Sequence, residues 1–213
     1  ALARDFKYPK GIVMNKEYTI YILLTYSGTL PSRFIKMYTR EPYSHVSIAF
    51  DSELKELYSF GRLKPSNPLI GGFVREDIFY GTYGRFPETQ CALYSVTINS
   101  YQYYRLRMEL NRFLTDAKKY GYNFLGLLGV MLGIPIQRTY KYFCSQFVAT
   151  LLANSGIDFF DKHPALVSPM DFRMCSKLKL IYEGKLRAYG LLASYKDVIS
   201  EAEPVLNRAG RQD

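Results

Sequence analysis

The run EYTIYILLTY, residues 17–26, restricts the folds open to this chain more than any other stretch. Its aromatic, β-branched and aliphatic residues read as a buried β-strand. A chain that holds such a strand must build a sheet and cover it. YSHVSIAFD (43–51) and KELYSFGR (55–62) read as two short strands around a tight turn near Ser52. TQCALYSVTIN (89–99) reads as another strand, and KLKLIYEGKL (177–186) as the one that closes the sheet. LKPSNPLIGGFVRE, rich in Pro, Gly and Asn, reads as a loop followed by an edge strand, with its two glycines serving a turn.

Helices are marked by periodicity and by their ends. GTLPSRFIKMYTR reads as a short helix with proline near its first turn. From Tyr101 to Tyr120, Tyr103, Leu106, Leu110, Phe113, Leu114 and Ala117 fall on one helical face. A second helix runs from Phe143 to Ala153 and stops at Asn154-Ser155-Gly156. SPMD opens a third, with Ser168 as N-cap, Pro169 at the first position and Asp171 reaching back; Cys175 is placed in that helix. Strands and helices mix without strict alternation and no domain-scale linker appears. The reading is α+β, one domain over 1–213, with 1–14 and 200–213 as peripheral tails.

Composition narrows the partners. The chain carries a net charge of +9, which suits anionic partners such as cell-wall material or lipid headgroups. The Lys and Arg residues are scattered rather than clustered on one element, which argues against nucleic acid. NFLGLLGVMLGIPI (123–136) is shorter than the ~20 residues a spanning helix needs and is interrupted by glycine and proline. It reads as a core helix or a segment dipping into a surface, so peripheral membrane contact stays open. No signal peptide is read at the start, which favours the cytoplasm; the cell envelope is the alternative if a signal was removed. Three widely spaced cysteines and two histidines make no zinc pattern.

One cysteine stands apart. In YKYFCSQFVATLLANSG (140–156), Cys144 lies at the first turn of its helix, where the dipole and free N–H groups favour a thiolate. Val148 and Leu151 share its face, so the thiol points inward, which suits catalysis only if it opens into a cleft. Cys91 and Cys175 read as structural. A thiol nucleophile needs a base, and His163, before a proline, reads as a surface residue. His45 starts a strand in which Val46, Ile48 and Phe50 face the core, leaving His45, Ser47 and Ala49 on the other, small and polar face. A turn about Ser52 sets Ser59 opposite His45 and Tyr58 beside Val46. Ser59 is the expected orienter of the imidazole, with Glu76 or Glu56 as substitutes if the register differs. Tyr142, Ser145 and Ser47 are the candidate substrate-contacting residues. The other tyrosines of the 101–142 region, Tyr122 among them, read mainly as packing.

A strand beginning S-H-V-S-I, then a short strand, a long middle section and F-C-S-Q-F-V-A-T-L-L heading a helix resembles the NlpC-type cysteine peptidase and amidase superfamily. It is most similar to the circularly permuted papain-like branch, whose motif order lecithin:retinol acyltransferase-like proteins share. The resemblance spans about Tyr18 to Leu186, and VSPMD fits bacterial members. It implies a permuted papain-like fold, an antiparallel sheet packed against helices with the cysteine at a helix N-terminus. It also implies Cys144 as nucleophile, His45 as base and a residue near Ser59 as orienter, where relatives carry Glu, His, Asn or Gln. The implied activity is hydrolysis of an amide, such as a cell-wall peptide, without metal or organic cofactor. An acyltransferase or thioesterase acting on a lipid or acyl substrate is the alternative, and a catalytically decayed binding module a third.

Overall fold

In a computed structural model, residues 16–28, 42–64 and 67–195 are described. The helix expected over GTLPSRFIKMYTR and both polar tails lie outside them, apart from Gly28.

Six strands form one antiparallel sheet. They are β1 (Glu17–Tyr26), β2 (His45–Ala49), β3 (Leu57–Lys64), β4 (Asn67–Glu76), β5 (Gln90–Asn99) and, after a gap filled by helices, a strand at Lys179–Lys185. Two two-residue strands, β6 (Gly121–Tyr122) and β7 (Lys141–Tyr142), pair in parallel beside the sheet, so the Lys179–Lys185 strand is β8. The sheet order is β4-β3-β2-β1-β5-β8. The fold is therefore α+β, an antiparallel sheet with helices packed on it.

EYTIYILLTY takes an inner position, paired to β5 along its whole length and to β2 over its C-terminal half. Both its faces are covered, which is why apolar residues run without alternation. Ile20, Ile22 and Leu24 join the larger core beneath two helices, α2 (Ser100–Thr115) and α4 (Cys144–Asn154). Leu23 joins a second core with Ala49, Leu57, Leu93, Ile78 and Leu186. That second face is covered by α1 (Gly81–Arg85) and by a helical segment over 186–195.

Helix α2 starts with a reciprocal cap: Asn99 Oδ1 accepts from the Gln102 N–H, and Gln102 Oε1 accepts from the Asn99 N–H. Leu106, Leu110 and Phe113 are buried as expected, and Tyr103 stacks on Tyr18 with centroids 4.1 Å apart. Leu114 is exposed instead, turned about 100° from the buried Phe113, and Ala117, past the helix end at Thr115, falls in a short 3-10 turn. Helix α5 (Pro169–Arg173) begins as expected, with Asp171 Oδ2 accepting from the Ser168 N–H and hydroxyl. Cys175 lies just past it, partly buried.

Three expectations change. LKPSNPLIGGFVRE is mostly strand: from Asn67 it forms edge strand β4, and the glycine pair lies mid-strand rather than in a turn. A Cβ on Gly72 would sit 2.9 Å from the Tyr120 carbonyl oxygen, and one on Gly71 would sit 3.0 Å from Tyr122 Cβ. The pair lets the segment leading into β6 lie directly on the sheet. The β2–β3 hairpin is also longer than a turn about Ser52. The Asp51 carboxylate accepts the Lys55 and Glu56 N–H groups, Leu54 takes a positive φ of 61°, and the Phe50 N–H bonds to the Glu56 carbonyl. Tyr58 therefore pairs with Ile48 and Leu57 with Ala49, two residues away from the expected register. A two-residue slip preserves the face, so Ser59 stays on the His45 side but falls level with Ser47.

Finally, Phe124–Leu132 forms helix α3, which packs through Gly126 and Gly129 and leaves most of its large side chains open to solvent. Its N-cap, Asn123, is fully buried; it accepts from the Gly126 N–H and donates to the Ile136 carbonyl and to Gln146 Oε1. Asn123→Ala strands the last two acceptors and removes the cap. A loss of about 2–3 kcal/mol is expected, read as a lower denaturant midpoint at unchanged slope.

Candidate active site

Cys144 is the first residue of α4, after Phe143 in extended conformation. The segment before it, β7, pairs with β6, with Tyr122 opposite Tyr142 and the Asn123 N–H bonded to the Tyr142 carbonyl. Ser145 Oγ donates to the Val167 carbonyl at 2.7 Å, tying the first turn of α4 to the segment before α5. The N-terminal end of α4 is thus fixed on two sides.

His45 opens β2, beside Thr25 of β1. Its Nε2 lies 2.9 Å from Glu76 Oε1, at the end of β4. This leaves Nδ1 for the Cys144 sulfur, and each of the two groups favours the charged form of the other. Glu76 reaches the ring across β3 because Gly61 stands in its path. A Cβ there would meet Ser59 Oγ at 3.3 Å and Glu76 Oε1 at 3.4 Å. The other carboxylate oxygen accepts from Ser47 Oγ and from Tyr83 OH, the latter at 3.3 Å, and Tyr83 OH is also 3.2 Å from Thr25 Oγ1.

The electrostatics follow from these contacts. Burial raises the cost of charge on all three groups, yet each charged form is held by its neighbours. Burial pushes the Cys144 thiol up, but the His45 charge, its hydrogen bond and the N–H groups of Val46 and Ser145 bring it below the ordinary range. Burial pulls His45 down, and the charges of Glu76 and Cys144 with their hydrogen bonds outweigh it, raising the ring to about 10. Glu76 is lowered against burial by His45 and by the Ser47 hydroxyl. Tyr83 is driven well above its usual value by burial and by Glu76, so it stays a donor. Cys91 shows the contrast: burial and the charge of Glu183 raise it to about 12. An imidazolium–thiolate pair backed by a carboxylate is a nucleophile with its proton already moved.

The His45 side chain is 22% exposed, while Cys144 is 3% exposed. Tyr122 lies half-buried beside Cys144, and burial together with the charge of Cys144 drives its phenol well above the usual value.

The expected site residues divide. Cys144 and His45 are brought together. Glu76, expected only as a substitute, occupies the place expected for Ser59, because the hairpin register moves Ser59 away from the ring. Ser59 is fully buried beside Glu76, and its hydroxyl makes no ordinary hydrogen bond. Glu56 is elsewhere, held by Arg107 at 2.7 and 3.2 Å. Ser47 and Ser145, expected at the substrate, are both buried, one donating to Glu76 and the other to the Val167 carbonyl. Tyr142 points into the aromatic core, 5.3 Å from Phe60 and 5.4 Å from Phe113 between centroids. His163 is exposed, near Gln137, and its Nδ1 accepts from the Ala165 N–H. Tyr122 was legible only as one tyrosine among many, since its role depends on a two-residue pairing across twenty positions. Among the described residues, no three His, Cys, Asp or Glu side chains converge as metal ligands would.

The fold and site define a class by geometry: an α+β protein with a cysteine at a helix start, a strand histidine on it and a carboxylate behind. Comparison with protein-family models, curated proteins and solved structures finds no match to this chain.

Proposed function

We propose that this chain is a cysteine hydrolase with a permuted papain-like fold, cleaving an amide such as a cell-wall peptide. The observation that carries the reading is the Cys144–His45–Glu76 line, in which the thiol is lowered and the imidazole raised at the start of one helix. The Cys144 thiolate attacks the substrate carbonyl carbon and the C=O electrons move onto oxygen. The N–H groups of the first turn of α4, which have no partner within the helix, and the Tyr122 hydroxyl are suited to receive that oxyanion. Collapse expels the amine, which takes the proton from His45, and leaves a thioester. His45, now neutral, removes a proton from water, and the resulting hydroxide adds to the thioester and frees the acid and the thiol. Glu76 holds the ring orientation and its charge throughout.

A second reading, an acyltransferase or thioesterase, has one observation in its favour: the apolar helix α3 begins two residues after Tyr122. The decayed-module reading rested on a serine as third residue, and Glu76 stands there instead.

The test is incubation with a muropeptide panel and with phospholipids, with Cys144→Ala as control and intact mass recorded for a thioester adduct on Cys144. Turnover of amides alone supports the first reading and of acyl esters alone the second. No turnover and no adduct with either panel counts against both. Tyr122→Phe, which retains the ring, is expected to lower kcat by roughly 10²-fold with little change in KM.

A further inference from the structure

Among the described residues, helix α3 and the turn after it carry a run of exposed apolar side chains close to the site. Phe124, Leu125, Leu128, Met131, Leu132 and Ile134 are all at least 40% exposed, Leu132 reaching 71%. Leaving such side chains in water opposes folding, so a contiguous patch of them marks a contact surface. The helix is held for that position. Asn123 caps it, Gly126 lies so close to Phe143 that a Cβ would be 3.0 Å from that ring, and the Gly133 C-cap, with φ +69°, ends it. Its buried positions are glycines, Gly126 and Gly129, so its large side chains are turned outward.

What surrounds the patch selects the partner. From residue 117 to residue 157 the sequence contains no Asp or Glu, and its charged residues are Lys118, Lys119, Arg138 and Lys141. Lys118, Lys119 and Arg138 are exposed. Lys119 pairs with Asp116; among the described residues the other three form no ion pair with a carboxylate. Tyr120 and Tyr122 lie between the two lysines and the helix, and Tyr140 between Arg138 and Lys141. Tyr122 packs on Phe124 and Tyr120 on Tyr140, so the apolar helix is flanked by segments that carry tyrosines and cations. That layout matches the acyl region, interface and headgroups of an anionic bilayer. Nine helical residues span about 14 Å, too short to cross, so the helix would lie within the interface.

We propose that α3 and its basic rim are a docking surface for an anionic lipid bilayer. The inference concerns binding and holds whichever bond Cys144 cleaves.

The experiment is co-sedimentation of the full chain with vesicles of phosphatidylcholine alone or with about 30% phosphatidylserine. Binding to the anionic vesicles, weakened by added salt and weak on neutral ones, is the expected result. Leu128→Glu with Leu132→Glu is expected to reduce partitioning about tenfold or more, and Lys118→Gln with Arg138→Gln about twentyfold. All four side chains are exposed, and unchanged circular dichroism and melting verify the fold. Cys144→Ser is expected to bind like the parent, which separates docking from catalysis. Absence of binding, or binding that neither pair of substitutions alters, overturns the proposal. So does a stable dimer in lipid-free sedimentation that Leu132→Glu dissociates, since a second copy would then be the occupant.

Discussion

At pH 6.5, iodoacetamide is expected to alkylate Cys144 at least 100-fold faster than Cys91, and Cys144→Ala to abolish turnover. An ordinary thiol near pKa ~8.5 is only about 1% ionised at that pH. Cys144 lies below its ordinary value, its negative charge held by His45 and by the N–H groups of Val46 and Ser145. Cys91, at about 12, has almost no thiolate, because burial and Glu183 oppose its charge. Both sulfurs are buried, so burial alone cannot explain a difference in rate. Cys175, partly exposed, is the control for accessibility. Peptide mapping after timed quenching reads all three rates at once. Equal slow labelling would mean that the imidazole does not hold the thiolate, and the nucleophile assignment would fail.

Glu76→Gln is the second large effect, with kcat/KM expected to fall by roughly 10²–10⁴. The amide nearly retains the shape but removes the charge that helps raise His45 to about 10. The sign of the pH dependence follows. The reactive pair exists above the lowered pKa of Cys144 and is lost as His45 deprotonates, so the rate plateau extends from the acid side toward pH 10. Without Glu76 the imidazolium is less stable, so the basic limb moves to lower pH and the acid limb rises as the thiolate loses support. A pH–rate profile reads both limbs. A merely structural role for Glu76 would lower the amount of folded enzyme without moving either limb. Because breaking a buried pair costs about 3–5 kcal/mol, melting is recorded alongside, and Glu76→Asp, which keeps the charge, should recover part of the plateau width.

Particular residues mark how far the sequence carried. EYTIYILLTY, TQCALYSVTIN and the helix headed by Cys144 were legible because burial on two faces, or on one helical face, leaves a pattern in hydrophobicity. Asp171 and Asn154-Ser155-Gly156 were legible as helix ends because capping is local chemistry. The glycine pair of β4 was not, since glycine is used both for turns and for close approach and only the neighbour, Tyr120, distinguishes them. The hairpin register turned on Asp51 gathering two N–H groups and on a positive φ at Leu54, features that lengthen a loop without altering the flanking pattern.

The sequence by itself determined that a cysteine sits at a helix start and that a histidine heads a strand, because both depend on residues adjacent in the chain. It also determined the face on which the third group had to lie, since alternation is a local property that survives a two-residue slip. Only the tertiary structure decided that Glu76 takes that place, that Gly61 clears its path and that Tyr122 lies beside Cys144. Those choices depend on contacts between residues 15 to 31 positions apart, whose register is set by turn geometry and packing rather than by any pattern along the chain.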